Sequence, residues 1–141
     1  MIVILCLICI GCKNEDDNRF MGSGLPNPPT SEKQFTVSPE MVNISSNSMA
    51  KFLFAYMSNT SSNSGENCGI RICGCEGCNN PTPIYSTSSY IMMKNQINTY
   101  TVVVNYDKNE MGTCTAHCFC IVNCDNIDKA QENFTIKWKS K

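Results

Sequence analysis

The chain has 141 residues and a mass of 15.7 kDa, enough for one domain of ordinary size but not for two domains with separate cores. Lys and Arg number 11 against 12 Asp and Glu, so the net charge is -1 and no positive excess points to a nucleic acid partner. Only 16% of the residues are charged, whereas Asn, Ser and Thr supply 41 positions. This polar but uncharged composition favours β structure over exposed helices.

The chain begins with an unbroken apolar segment, Ile2 to Ile10. This segment is about half the roughly 20 residues that a transmembrane helix requires, so it does not predict a membrane span. It is followed by the small residue Gly11, then by Cys12 and a polar stretch. A short apolar segment at the N-terminus, ending at a small residue, predicts an export signal over residues 1–11.

The junction Ile10-Gly11-Cys12 and the acidic cluster Glu15-Asp16-Asp17 resemble the signal region of bacterial lipoproteins, those of the Bacteroidota in particular. The resemblance covers residues 1–17 only. It implies cleavage before Cys12, a lipid on Cys12 that anchors the mature protein to a membrane, and transport to the outer face of the outer membrane. The alternative is an ordinary secretory signal, cleaved at the same bond, which would leave Cys12 as a free or bridged thiol.

The segment from Lys13 to Lys33 has the composition of a linker. It contains three prolines and two glycines among mostly polar residues, and such a composition does not build a core. As a loose coil it would span about 25 Å. The sequence therefore predicts a lipidated cysteine and flexible tether over residues 12–33, and a folded domain over residues 34–141.

Short segments of strand-like periodicity recur through the predicted domain, separated by Asn, Ser, Gly and Asp. They are Phe35 to Ile44 (interrupted at Pro39), Met49 to Met57, Ile70 to Cys75, Ile84 to Ser86, Tyr90 to Met93, Tyr100 to Tyr106, Thr113 to Asn123 and Phe134 to Trp138. The alternation is clear in the last one, which predicts a strand with one face in water. Seven to eight strands without a helix predict an all-β, antiparallel β-sandwich of immunoglobulin-like architecture.

Eleven cysteines are too many for a reducing compartment unless most of them bind metal. Three of them, Cys6, Cys9 and Cys12, belong to the export signal or its cleavage site. The other eight form two clusters of four: Cys68, Cys73, Cys75 and Cys78, then Cys114, Cys118, Cys120 and Cys124. Each cluster has a central Cys-x-Cys pair whose side chains share one face of a strand, so the two clusters are expected to face each other.

An antiparallel arrangement pairs the two clusters with a nearly constant register. The expected pairs are Cys68 with Cys124, Cys73 with Cys120, Cys75 with Cys118 and Cys78 with Cys114. A parallel arrangement gives an equally regular spacing, but sandwiches are built from antiparallel strands. Opposite residues of neighbouring strands are close enough for disulfides, which predicts four bridges, although bonds within one cluster remain open.

Two other uses of the eight cysteines compete with disulfides. Two sets of four thiolates would satisfy two tetrahedral Zn or Cu sites, but an exported chain meets an oxidising environment that favours disulfides. A Cys-x-x-Cys redox enzyme would need a helix after Cys78 to lower the thiol pKa, and the sequence Asn79-Asn80-Pro81 that follows Cys78 does not predict one.

The sequence predicts no catalytic centre and no cofactor. His117, the single histidine, has the opposite strand parity to its neighbouring cysteines, so it is expected to point away from them. The prediction is an exported, lipid-anchored sandwich at the cell envelope, with a structural or binding role. Its ligand would be a protein or a glycan rather than a nucleic acid, and a thiolate metal-binding lipoprotein is the alternative.

Overall fold

The computed structural model describes residues 20–21, 27–45, 49–78, 81–105 and 113–139. These residues form ten strands in two sheets. The first sheet contains β1 (Phe20–Met21), β2 (Phe35–Ser38), β4 (Met49–Met57), β6 (Thr82–Tyr85) and β8 (Ile97–Asn105). The second sheet contains β3 (Met41–Ser45), β5 (Glu66–Glu76), β7 (Tyr90–Met92), β9 (Cys114–Cys124) and β10 (Ile127–Lys139). No helix in the described part of the chain is long and apolar enough to cross a membrane.

The two sheets pack face to face as an antiparallel β-sandwich of immunoglobulin-like architecture, which confirms the predicted fold class. The first sheet has the order β1–β4–β8–β6, with β2 also paired to β4, and the second has the order β3–β10–β9–β5–β7. All described pairings are antiparallel except two at sheet edges, β1 with β4 and β3 with β10. Successive strands from β2 to β9 alternate between the sheets, so the chain ties the two layers together at nearly every connection.

The segment from Phe35 to Ile44, predicted as one edge strand broken at Pro39, forms β2 and β3 in different sheets. A proline has no N–H to donate, so it ends the β2 ladder and the chain crosses to the second sheet. The chain makes a similar crossing between β6 and β7 on the opposite side of the sandwich. Each side of the sandwich therefore has one segment that runs from an edge of the first sheet to an edge of the second.

The core between the sheets is aromatic at its centre. Phe52 and Phe54 of β4 are fully buried, and the ring of Phe134 from β10 lies 4.4 and 5.5 Å from theirs. Phe35 stacks on Phe54 at 5.3 Å. The alternation predicted for the last strand is confirmed, since Phe134, Ile136 and Trp138 are buried and the residues between them are not.

The strands β10 and β5 begin well before their predicted bounds. The prediction missed these residues because most of them are polar and show no apolar alternation. β10 begins at Ile127 rather than at Phe134, and a bulge between Asp128 and Ala130 interrupts its register with β9. Asp125 and Asn126, both with positive φ, form the two-residue turn between β9 and β10, as expected of a tight hairpin. Likewise, β5 begins at Glu66 rather than Ile70.

The structure contains contacts ahead of Gln34, within the segment predicted as a tether. Phe20 and Met21, placed by the prediction in the tether, pair with Met49 and Ala50 of β4. Thr36 Oγ1 also donates to the carbonyl of Asn27 at 2.6 Å. Backbone pairing of this kind needs no apolar periodicity, which is why composition did not predict it. The predicted export signal and Cys12 lie outside the described residues.

Candidate functional site

The two cysteine clusters face each other on β5 and β9, which are antiparallel neighbours. The sheet register places Cys68 opposite Cys124, Cys73 opposite Cys120, and Cys75 opposite Cys118. The structure therefore contains the antiparallel arrangement of the clusters and not the parallel one. We call the four cysteine pairs between β5 and β9, including the pair just beyond the end of β5, the cysteine ladder.

Three of the four pairs are disulfides: Cys68–Cys124, Cys75–Cys118 and Cys78–Cys114. The Cα atoms of the first two pairs are 4.1 and 4.0 Å apart, the short separation of non-hydrogen-bonded positions in an antiparallel ladder. The Cα atoms of the third pair, just past the end of β5, are 5.8 Å apart. The bridges therefore join neighbouring strands of one sheet rather than the two sheets of the sandwich.

A β-bulge in β5 brings Cys68, Cys73 and Cys75 to one face of the sheet. Ile70 lies opposite Val122 and Ile72 opposite Ile121, so Arg71 is an extra residue on β5. Side chains alternate between faces, and without the extra residue Cys68 and Cys73 would point to opposite sides of the sheet. The bulge turns Cys73 and Cys75 inward, toward the same interior as Cys68.

The cysteines of the ladder are unevenly buried. Four are buried in the core: Cys68 of β5 and Cys118, Cys120 and Cys124 of β9. The other four pack against the core but remain half-buried: Cys73, Cys75, Cys78 and Cys114. They lie on the side of the sandwich that the short strand β6 closes, where Tyr85 of β6 donates to the carbonyl of Arg71 at 3.3 Å.

The expected fourth bridge, between Cys73 and Cys120, is not formed in the structure. Both are thiols, with their sulfur atoms 2.8 Å apart, whereas a disulfide bond is about 2.05 Å long. Cys73 is the first inward-facing residue after the bulge, where a bulged strand bends.

His117 lies on the opposite face of the second sheet from the cysteine ladder. It is exposed, in one row with Glu76 of β5 and Thr135 of β10. The prediction that it points away from the cysteines is confirmed, and the structure brings no Cys–His dyad together there. In the next row Phe119 covers Gly74, where a Cβ atom would lie 3.2 Å from the ring, so this aromatic side chain protects a strand glycine.

A polar cluster around the buried carboxylate of Glu66 lies at the other end of β5 and was not predicted from the sequence. Glu66 is 4% exposed; it accepts a hydrogen bond from Ser58 Oγ at 2.6 Å and one from Tyr56 Oη at 3.5 Å. Lys129 Nζ lies 3.1 Å from its second oxygen. Burial, followed by the charge of Glu66, raises the pKa of Tyr56 to about 12. A lone Glu ahead of the predicted strand gave no signal, because its partners come from β4 and β10.

The metal alternative is not supported by the cysteine ladder. Six of its eight sulfur atoms are used in disulfides, and a disulfide sulfur offers no thiolate. Among the described residues, one group of potential ligands lies within reach of a common ion: Glu66, Cys68 and Cys124. The two cysteines of this group are bonded to each other.

A polar cleft lies on the outer face of the second sheet, beside the β9–β10 turn. Its cavity is about 290 Å³, lined mainly by Asn67, Arg71, Ser89, Asn123, Asp125 and Asn126. Asp128 joins two of these side chains, accepting hydrogen bonds from Asn123 at 2.7 Å and Arg71 at 3.1 Å. The hydrogen bond from Asn123 is the main cause that lowers the pKa of the Asp128 carboxyl, and the hydrogen bond and positive charge of Arg71 lower it further. The cleft presents amide, hydroxyl and charged groups of both signs.

Comparisons with known proteins add little beyond the fold. No family model matches the chain, and no curated protein matches its sequence. Among solved structures, the chain is similar to the ASH / PapD-like domain of human CEP192 (PapD-like domain 7), with a TM-score of 0.47 and 7% sequence identity over 84% of this chain and 94% of that chain. A similarity this low carries no argument about function.

Proposed function

We propose that this protein is exported and held at the cell envelope by a lipid on Cys12, and that its disulfide-bonded sandwich is a non-catalytic structural or binding module. The observation that carries the proposal is the row of bridges between β5 and β9. Bridges of this kind form and persist in oxidising compartments such as the bacterial periplasm and the cell surface. The export signal and the lipoprotein-like junction at Gly11-Cys12 supply the route to such a compartment.

The anchor is tested with the full chain expressed in a bacterium that processes lipoproteins. Cells are fed a labelled fatty acid, and the membrane fraction is partitioned between detergent and water. We expect the label on the protein and its recovery in the detergent phase, because a thioether-linked lipid adds about 0.8 kcal/mol of membrane affinity per buried CH₂. Cys12→Ser is the test variant, with Cys6→Ser, further from the cleavage site, as the matched control within the same signal.

The two variants separate lipid anchoring from simple secretion. Cys12→Ser should lose the label and either remain unprocessed or leave the membrane, whereas Cys6→Ser should behave like the wild type. A wild-type protein that is processed, unlabelled and water-soluble would contradict the anchor and leave an ordinary secretory signal. A protein that keeps its signal and stays inside the cell would contradict export itself.

The polar cleft is the part of the surface that we assign to a binding role. Its mixed donors and acceptors suit a neutral polar ligand, either a glycan or a polar peptide segment. Glycan-array screening of the wild type against Asn123→Ala measures this directly. Binding that the variant loses would support the cleft as the site, and binding that the variant retains would contradict it.

A further inference from the structure

The Cys73–Cys120 pair differs from the rest of the cysteine ladder in its bonding. Three pairs are disulfides, but this one holds two thiols with their sulfur atoms in contact at 2.8 Å. It lies two residues along the strands from the bonded pair Cys75–Cys118, on the same face and at the same kind of ladder position. The sulfur atoms need to approach by roughly 0.75 Å to reach bonding distance, so the backbone register already suits a bond.

We propose that Cys73 and Cys120 form a reversible dithiol–disulfide couple, closed and opened by thiol–disulfide exchange through Cys73 while the other three bridges stay closed. The co-reactant is a low-molecular-weight disulfide in the closing direction and the corresponding thiol in the opening direction. The proposal does not depend on the lipid at Cys12. It requires only that the protein meets both forms of such a reagent.

The two thiols have unequal access to solvent, and this assigns the entry point. Cys73 is half-buried, whereas Cys120 is completely buried. The Cys120 thiol donates a hydrogen bond to Cys73 Sγ, and this bond, together with burial, raises the pKa of Cys120. Cys120 therefore keeps its proton until its partner has reacted, and Cys73 is the thiol that a dissolved reagent meets first.

The backbone around Cys73 is open on one side. β7 pairs with β5 only from Glu66 to Cys68. In the described part of the chain no strand pairs with residues 69–76 along the edge away from β9. The bulge at Arg71 lies two residues before Cys73, and bulged strands lack some ladder hydrogen bonds. A strand with an open edge and a local bulge can make the small movement that bond formation requires.

The exchange conserves atoms and electrons. The Cys73 thiolate attacks one sulfur of the reagent disulfide, which forms a mixed disulfide and releases the first reagent thiol. Cys120 then loses its proton and attacks Cys73 Sγ, which forms the Cys73–Cys120 bond and releases the second reagent thiol. The protein gives up two electrons and two protons, and both end on the two reagent thiols. Opening is the same sequence in reverse.

The first test equilibrates the full-length protein in buffers of graded reduced-to-oxidised glutathione ratio, then alkylates it and maps the alkylated cysteines. We expect a range of ratios in which the map shows two alkylated ladder cysteines, Cys73 and Cys120, and six that are protected. Peptides resolve them from Cys12. If all eight ladder cysteines open over the same range, or if Cys73 and Cys120 are alkylated at every ratio, the proposed couple is wrong.

The second test uses two matched serine variants to check the entry point. Cys120→Ser treated with oxidised glutathione should gain one glutathione at Cys73, since the mixed disulfide has no partner to resolve it. Cys73→Ser should react at Cys120 more slowly by at least about tenfold, because the remaining thiol is buried. Equal rates in the two variants would overturn the assignment of Cys73, and the wild-type titration does not depend on how well either variant folds.

Discussion

The two halves of the core are held together in different ways. Under β4 and β10 the interior is filled by aromatic rings such as Phe52, Phe54 and Phe134, all buried. Between β5 and β9 the inward positions are occupied largely by cysteines. The half-buried cysteines lie where the sandwich is closed by β6, a strand of four residues. Apolar burial stabilises the first half, and covalent bonds join the strands in the second.

This difference teaches where a small domain needs bridges. A buried aromatic side chain stabilises the fold through the apolar area that it removes from water. The half-buried positions beside β6 remove less area from water and gain less from this effect. A disulfide constrains the unfolded chain whether or not its surroundings are sealed. We infer that the ladder compensates for thin packing along β5, and the predictions below vary each half of the core separately.

Reduction of all three disulfides should produce the largest effect. The bridges close segments of 56, 43 and 36 residues, and the first such closure is worth about 4 kcal/mol in the chain-entropy description. Further bridges close shorter loops and add less. We expect denaturant unfolding to show a loss of at least about 4 kcal/mol, a large part of the stability of a small domain.

The control for full reduction is the removal of a single bridge. A variant with Cys75→Ala and Cys118→Ala keeps the bridges on both sides of the missing one, so we expect it to remain folded and to lose about 2 to 3 kcal/mol. If reduction of the wild type costs no more than this variant, the ladder does not hold the β5 side together.

Phe134→Ala should strongly destabilise the aromatic half of the core. The ring is 2% exposed and contacts both Phe52 and Phe54, so its removal leaves a cavity and should cost about 3 to 5 kcal/mol. Phe119→Ala is the matched control, because that ring lies on the outer face over Gly74 and should cost about 1 kcal/mol. Comparable losses in the two variants would contradict the placement of the core.

Ser58→Ala probes the polar cluster around Glu66, where β5 begins. It removes a hydroxyl that donates to Glu66 at 2.6 Å and should cost about 1 to 3 kcal/mol, because a buried carboxylate loses one of its donors. Ser62→Ala, in the exposed loop that follows, is the control and should change stability by less than about 0.5 kcal/mol. Urea denaturation of both variants measures the difference, and equal values would mean that Glu66 does not need the hydroxyl.

Alkaline pH should weaken the fold through its buried phenols. Burial is the largest cause that raises the pKa of Tyr56 and of Tyr100 to about 12, against about 10 in an unfolded chain. Below pH 10 both phenols are neutral in either state and their contribution is complete. Between pH 10 and 12 the unfolded chain ionises first, so stability falls as pH rises, by roughly 1 to 2 kcal/mol for each phenol.

Tyr56→Phe provides the control for this pH dependence. Unfolding free energies measured at about pH 9 and about pH 11 should differ less for the variant than for the wild type, because one titrating group is gone. An identical difference in the two proteins would show that Tyr56 does not keep its proton in the folded state. A larger difference in the variant would reverse the expected sign.

Much of the fold could be predicted from period-two patterns because buried strands alternate. The segment from Met49 to Met57 is β4 with the predicted bounds. The spacing of the eight cysteines predicted that their two segments pair, and the antiparallel direction followed from the way sandwiches are built. The period-two pattern did not predict contacts between residues that are distant in sequence. Glu66, Lys129 and the pairing of Phe20 with Met49 depend on neighbours that only the folded chain supplies.

The bulge at Arg71 shows why the details of the site could not be read from spacing. The residue numbers of Cys68 and Cys124 sum to 192 and those of Cys73 and Cys120 to 193, and this shift by one is the trace of the bulge. The shift in the sums does not show that the bulge places Cys73 and Cys75 on the same face as Cys68. It also does not show that the pair next to the bulge is the one left as thiols.

A non-reducing peptide map of the ladder tests the central claim most directly. Cleavage after Arg71, Glu76, Lys94 and Phe119 places Cys68, the Cys73–Cys75 segment, Cys78, and Cys114 with Cys118 in four separate fragments. We expect the Cys68 fragment to be joined to the one with Cys124, and the fragments with Cys75 and Cys78 to be joined to the one with Cys114 and Cys118. A bond between the fragments of Cys75 and Cys78, within one cluster, would contradict the ladder that joins β5 to β9.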